Sequence, residues 1–351
     1  MTGAGGSIGA ELCRQIVRFS PDTMVLFDTS EPSLYAIQME LKHRVGYLKY
    51  KTVLGSVQNG LLTDAVFKAF RPHVVFHAAA YKHVPMLERN PWETVFNNIL
   101  GSRTLIEKAI DHGVERFVLV STDKAVRPTN VMGASKRVGE LMAQLYAMEC
   151  GARNMCVRFG NVVYSAGSVV PLFRKQIERG GPVTLTHRDV VRYFMTIPEA
   201  SRLILQAGAI GDGGEIFILK MGDPIRIADM ARDLIRLSGF EPDKEIEIKE
   251  IGLRPGEKLF EELITEGEGI QETEHEDIMV LRSDMGNWGT PDCGQEPFQL
   301  SNKMGQAGNE LTLKKMKKHI KRLVNCAESG DEQKIREELK RIVPEYTPES
   351  S

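Results

Sequence analysis

Thr122, Asp123 and Lys124 follow one another directly after the apolar run Arg116–Val120, and Met132 opens a helical stretch with Lys136 four residues on. A hydroxyl, a carboxyl and an amine gathered at a strand end can move protons at a carbinol, and the i,i+4 spacing puts Met132 and Lys136 on one helix face. A thioether carries no proton, so acid and base duty at such a site passes to Asp123 and Lys124. A free aspartate has a pKa of about 3.9 and a lysine about 10.4, so at neutral pH neither starts as an acid or a base respectively. Burial is expected to push both toward neutrality, and a coupled pair can exchange a proton. Neighbours on an extended strand face opposite ways, so the backbone must kink after Thr122 for both to reach one substrate.

A second chemical signal lies at the start of the chain. Gly3-Ala-Gly-Gly6-Ser7-Ile8-Gly9 has the Gly-x-x-Gly-x-x-Gly spacing that lets backbone approach a pyrophosphate and aims a helix N-terminus at it. Asp28 comes at the end of the strand-like run Met24–Phe27, where a carboxylate bonds the adenosine ribose hydroxyls; the competing reading is a cap for the helix that begins at Ser30 and Glu31. A carboxylate there repels a ribose phosphate and no arginine follows it, which favours NAD over NADP. Ser56, in Gly55-Ser-Val57-Gln-Asn, predicts a weak or water-mediated adenine contact.

The elements that must position these residues alternate. The strands predicted are Met24–Phe27, Lys51–Leu54, His73–His77, Arg116–Val120 and Asn154–Arg158, with helices over Glu31–Val45, Pro91–His112 and Met132–Glu149 between them. This is the α/β pattern of a Rossmann-like, doubly wound parallel sheet. The expected division is a nucleotide-binding domain over 1–160, a smaller substrate region over 161–310 with return segments to the core, and C-terminal helices over 311–351. In the second region Glu199–Ala209 and Ile227–Leu237 read as helices and 264–310 shows little periodicity. Leu311–Asn325 and Glu332–Ile342 read as solvated surface helices.

One departure concerns the glycine loop. Such a loop follows the central strand of its sheet, yet only Met1 and Thr2 precede it, so the first strand is missing from this sequence. About five buried apolar residues at roughly 1.5–3 kcal/mol each amount to about 10 kcal/mol, comparable with a whole domain's stability. The natural polypeptide is therefore expected to extend upstream, where a membrane anchor is also conceivable.

Composition narrows the function. A net charge of −2 over 351 residues gives no global pull toward nucleic acid or anionic membrane. The five cysteines, Cys13, Cys150, Cys156, Cys293 and Cys326, form no Cys-x-x-Cys pair, so a reducing cytosol and no metal are expected. No run of 18 apolar residues offers a membrane span.

The strings Ser121-Thr-Asp-Lys-Ala with Met132-Gly-Ala-Ser-Lys136, His77-Ala-Ala-Ala-Tyr-Lys-His-Val-Pro85, Arg158-Phe-Gly-Asn161, Tyr193-Phe-Met-Thr-Ile-Pro198 and Arg254-Pro-Gly-Glu-Lys-Leu259 span nearly the whole chain. Together they closely resemble the polysaccharide-biosynthesis nucleotide-sugar dehydratases, a group of extended short-chain dehydrogenases. Methionine at 132 is similar to the C5-retaining UDP-N-acetylglucosamine 4,6-dehydratases, whose C5-inverting counterparts carry tyrosine.

The resemblance implies a hydro-lyase that uses NAD internally: hydride leaves C4, a proton leaves C5, water leaves C6, and the hydride returns to C6. It implies Lys124 as base at C5, Asp123 as acid at O6, Thr122 on O4 and Lys136 on the nicotinamide ribose, and it leaves O4 deprotonation to Asp123 or a water. The cofactor set is completed by Val57, Ala78, Ala79, Ala80 and Asn98, the last expected to brace the active-site loop as well. A diphosphate needs donors that do not titrate, which suits Arg192, Arg254 and the amide of Asn161; the resemblance implies Asn161 and Arg254 at the UDP phosphates and Ser168 and Val169 at the uridine, and Lys82 lies in the substrate region without an assigned role. A homo-oligomer is expected. Two other readings stay open: a silent NAD or nucleotide-sugar binder, and a 4-epimerase, which the missing tyrosine disfavours.

Overall fold

Phe117 and Leu119 point into one apolar cluster and Val118 and Val120 into another, so the Arg116–Val120 strand is buried on both faces. That is the condition for a parallel sheet with helices on either side. In the computed structural model, which describes residues 1–264, 269–282 and 311–348, Arg116–Val120 pairs in parallel with Val74–His77 and with Asn154–Arg158. Ile216–Leu219 adds a further parallel strand beyond Asn154–Arg158, and the hairpin Gly269–Glu272/Ile278–Arg282 closes that edge antiparallel.

On the other side Met24–Asp28 pairs in parallel with Tyr50–Leu54. Thr2 lies between the two halves, bridged to Phe27 and to His77, with its amide 3.0 Å from the Phe76 carbonyl and its own carbonyl accepting from Ala78 at 3.1 Å, while Met1 and Ala4 bond Phe27 on the other side. The place expected for the first strand is thus held by the short segment from Met1 to Ala4, at the centre of a doubly wound order.

The predicted helices form with modest changes of boundary. Val131–Cys150 starts where Asn130 caps Gly133, and Ile197–Ile210 starts with a reciprocal Thr196–Glu199 capping box and Pro198 in its first turn. Within Pro91–Asp111 the turns over Thr94–Leu100 are wound wider than α, which carries the buried Asn97 and Asn98.

Two expectations are corrected. The C-terminal helices Leu313–Glu328 and Glu332–Ile342 are not merely solvated: Met316, Ile320, Leu323, Ile335, Leu339 and Tyr346 are buried in the same cluster as Phe117 and Val138. Their lysines and glutamates obscured a stripe of period three and four. The hairpin at 269–282 falls in the segment expected to lack periodicity; Cys293 and most of that segment lie outside the described residues. A separate cluster, built on Phe173, Val183, Leu185, Ile227 and Ile235, forms the core of the region after Asn161.

Candidate active site

The Asp123 amide donates to the Phe159 carbonyl at 3.1 Å, and the chain then turns through a tight 3-10 bend over Asp123–Ala125. This is the kink that convergence required. Gly133 packs on the bend so closely that a Cβ there would lie 2.1 Å from the Lys124 carbonyl oxygen, so the helix Val131–Cys150 starts directly against it.

The bend brings three groups together. Thr122 Oγ1 donates to Asp123 Oδ1 at 2.8 Å, and Lys124 Nζ donates to the same oxygen at 3.0 Å. Asp123 is buried, and its Oδ2 accepts no hydrogen bond. Burial works against the Lys124 charge, yet Asp123 and Glu261 outweigh it and hold the ammonium above the usual lysine range. The expectation that burial would neutralise Lys124 is therefore corrected: two carboxylates face it, and only one was foreseen.

Along the Val131–Cys150 helix, Met132, Lys136 and Glu140 succeed one another at four-residue intervals. Met132 is buried. Lys136 is buried too, donates from Nζ to the Val120 carbonyl at 2.9 Å, and is lowered by that burial to about 8. Glu140 takes both Arg158 nitrogens, Nε and Nη2, at 2.7 Å and the Ser121 hydroxyl at 2.7 Å. This fully buried pair anchors the residue just before the Thr122–Lys124 bend, and sequence reading missed it.

All six residues expected at the sugar nucleotide, Lys82, Asn161, Ser168, Val169, Arg192 and Arg254, line one cleft. Their situations differ. Arg254 is exposed at that cleft, and Ser168 heads the helix Val169–Glu178 with a buried hydroxyl that has no partner. Arg192 is buried and donates to the carbonyls of Val191, Leu259 and Lys258, so its guanidinium is largely committed to the protein. Lys82 reaches Ser165 Oγ at 3.3 Å and is lowered, first by burial and then by the nearby Lys124 charge. The cleft wall thus runs toward the Thr122–Lys124 bend.

The glycine loop is packed to its limit. A Cβ on Gly9 would stand 1.9 Å from the Gly3 carbonyl oxygen, and one on Gly3, at φ +68°, would stand 2.7 Å from the Ala78 and Ala79 backbone. No side chain caps the helix Ser7–Val17, whose first residues are Ser7, Ile8 and Gly9. Asp28 accepts from the Gly5 amide at 2.8 Å and from the Ser30 amide at 2.9 Å, so it braces the loop and starts the next helix. Ser56 Oγ accepts from the Gln58 amide, and Val57 is buried beneath it. Asn98 spends its amide on both Tyr81 backbone groups and Ser135 Oγ, which makes it a brace with little left for a cofactor.

Residues 1–283 match the family described as polysaccharide biosynthesis protein. The chain belongs to that family. One relative is the capsular polysaccharide biosynthesis protein CapD of Staphylococcus aureus, 51% identical over 270 residues, which are 76% of this chain and 45% of CapD. The chain spans about half the length of CapD and of a second curated relative, the probable polysaccharide biosynthesis protein EpsC of Bacillus subtilis. A protein named UDP-glucose 4-epimerase from Rickettsia akari is 33% identical over 272 residues, 76% of each chain. Among solved structures, Pen from Bacillus thuringiensis superposes with a TM-score of 0.74 at 33% identity, covering 81% of this chain and 88% of Pen. More distant neighbours, below 25% identity, include dehydratases and an epimerase solved with NAD; these show the fold alone. These neighbours share the α/β fold of this chain.

Sequence reading missed Glu261, although it lies two residues past the Arg254–Leu259 string. A lone glutamate in a charged loop carries no periodic signal, and only the fold brings it to Lys124.

Proposed function

We propose that this protein is a nucleotide-sugar 4,6-dehydratase, a C5-retaining hydro-lyase that converts UDP-N-acetylglucosamine to the UDP-2-acetamido-2,6-dideoxy-4-keto-hexose for surface polysaccharide synthesis. The observation that carries this reading is the contact among Thr122, Asp123 and Lys124 on one bend, beside a buried Met132 that handles no proton. An acid and a base are needed at one sugar, and the bend supplies both.

The residues present fit NAD: a glycine loop with no room for side chains, an uncapped helix start, and a carboxylate at the strand end. When bound, NAD would supply the hydride chemistry at C4 and C6. Gly3, Gly6, Ser7, Ile8 and Gly9 would hold its pyrophosphate and Asp28 its adenosine ribose, Ala78, Ala79 and Ala80 with Val57 would line it, and Lys136 would hold the nicotinamide ribose.

Asp123 draws the O4 proton through Thr122, whose hydroxyl already donates to it at 2.8 Å. That leaves Asp123 as a carboxylic acid, the state required to protonate O6 as it departs. Lys124, as a free amine, takes the C5 proton and then returns one. The departing water carries the hydrogen of O6 and the one that began on O4, so protons balance without an external acid. Arg254, Asn161, Ser168 and Val169 bind the UDP portion along the cleft.

The test is incubation with UDP-N-acetylglucosamine and no added cofactor, read by mass spectrometry and NMR. Loss of water, a new C6 methyl and solvent deuterium at C5 support this reading; unchanged sugar overturns it. The Rickettsia akari relative favours a second reading, 4-epimerisation. A C4 epimer in the same assay would establish that one instead.

A further inference from the structure

We infer that Glu261 is a positioning residue that takes the ammonium proton from Lys124, so that the amine is free when the sugar C5 is attacked. The inference rests on the dehydratase reading and deepens it. On that reading the site must accommodate two protons at once, one from O4 and one from the Lys124 ammonium. Asp123 has room for one of them, and its Oδ1 is already the acceptor for Thr122, on the side from which the O4 proton arrives. A second carboxylate is therefore required.

Glu261 is placed for that duty. Its Oε1 stands 3.6 Å from Lys124 Nζ, on a side chain that is 4% exposed. Its Oε2 is buried and accepts no hydrogen bond, an unusual state for a carboxylate oxygen and one that leaves it open to hold a proton. Arg192 Nη2 approaches Oε1 at 3.9 Å and lies 3.5 Å from Glu257 Oε1 as well. Lys258, held on the Val126 and Arg127 carbonyls, also feels Glu261, as does Lys124 from the bend with Asp123 beside it.

The sequence of events follows from the charges. At rest Lys124 is an ammonium between two carboxylates. When Asp123 gains the O4 proton, one of the two loses its charge, and the ammonium is held less firmly. One Lys124 N–H bond then breaks as a Glu261 O–H bond forms. After the C5 proton has been captured and returned, the transfer reverses, and nothing is oxidised or reduced.

Glu261→Gln keeps the shape and removes the acceptor. Wild-type protein is assayed first with UDP-N-acetylglucosamine; absence of turnover there overturns the dehydratase reading and this inference with it. Given wild-type turnover, the expected result for Glu261→Gln is a kcat at neutral pH reduced by about tenfold or more, an unchanged KM, and a rate recovering toward wild type at alkaline pH, where solvent takes the proton. A kcat unchanged, or lowered equally at every pH, or a loss confined to KM, overturns the inference while the dehydratase reading stands. If Glu261→Gln does not fold, Glu261→Asp decides: a pH profile with the wild-type acidic limb supports the inference, and a displaced limb overturns it.

Discussion

The Lys124 ammonium is held 3.0 Å from Asp123 Oδ1, the same oxygen that receives the Thr122 hydroxyl at 2.8 Å. One atom thus serves both a proton source and a base. The neutral isostere Asp123→Asn keeps the volume of this buried side chain and cannot be protonated by O4. The expected effect is a fall in kcat of about 10²–10⁴-fold, the usual contribution of a positioned acid or base, with little change in KM. Product NMR gives the rate, and thermal melting shows whether the fold survives. Turnover at the wild-type rate would exclude Asp123 from the proton path.

The Glu140–Arg158 pair is bidentate and fully buried. Removing Arg158 leaves the buried Glu140 carboxylate to Arg137, 3.1 Å away, a loss of up to about 3–5 kcal/mol. Arg158→Met is therefore expected to lower the denaturant midpoint sharply, while Glu140→Gln combined with Arg158→Met recovers part of it. Because Ser121 bonds the same carboxylate, the single variant should also loosen the bend and reduce activity of the folded fraction. Equal stability of the single and double variants would show that no charge had been stranded.

The sheet was legible because its strands are apolar runs bounded by turn residues; Arg116–Val120 and Asn154–Arg158 appear with the boundaries predicted. The catalytic bend was legible as residue types, and its kink as a geometric requirement. Glu261 was not, since its partner Lys124 is supplied by a chain segment far away in sequence. Arg192 was legible as a cleft residue but its commitment was not: three backbone carbonyls claim it, and carbonyl positions leave no trace in a sequence. The C-terminal helices misled because charged residues flank most buried positions of their apolar stripe.

His77 supplies a pH dependence of known sign. It is buried between Thr2 Oγ1, 2.8 Å away, and Ser102 Oγ, 3.0 Å away, and burial, with a smaller effect of the Lys136 charge, lowers it to about 3. The unfolded chain takes up the His77 proton near 6.5, while the folded chain resists it to about 3. The His77 contribution to stability is thus expected to be level above 6.5 and to fall as pH drops from 6.5 toward 3. Glu140, held below its usual range by Arg158 and Ser121 against its burial, adds to the same acid loss at lower pH. His77→Asn should remove the upper part of the slope; an unchanged slope between pH 6.5 and 5 in urea titrations would rule out His77 as its source.

Arg254 and Arg192 line the same cleft, but only Arg254 is exposed there, and this separates their effects. A hydrogen bond to a charged group is worth roughly 1.5–3 kcal/mol, so Arg254→Ala is expected to raise the KM for the UDP sugar by roughly 10–100-fold with kcat and melting temperature nearly unchanged. Arg192→Ala strips donors from three backbone carbonyls and should lower the melting temperature as well. Salt provides an independent check. Screening weakens an exposed charge contact, so the wild-type KM should rise with ionic strength, and it should do so less steeply once Arg254 is gone. A variant that loses kcat and kcat/KM in equal measure would instead place the Arg254 contact in the transition state, because only an interaction made there lowers both alike.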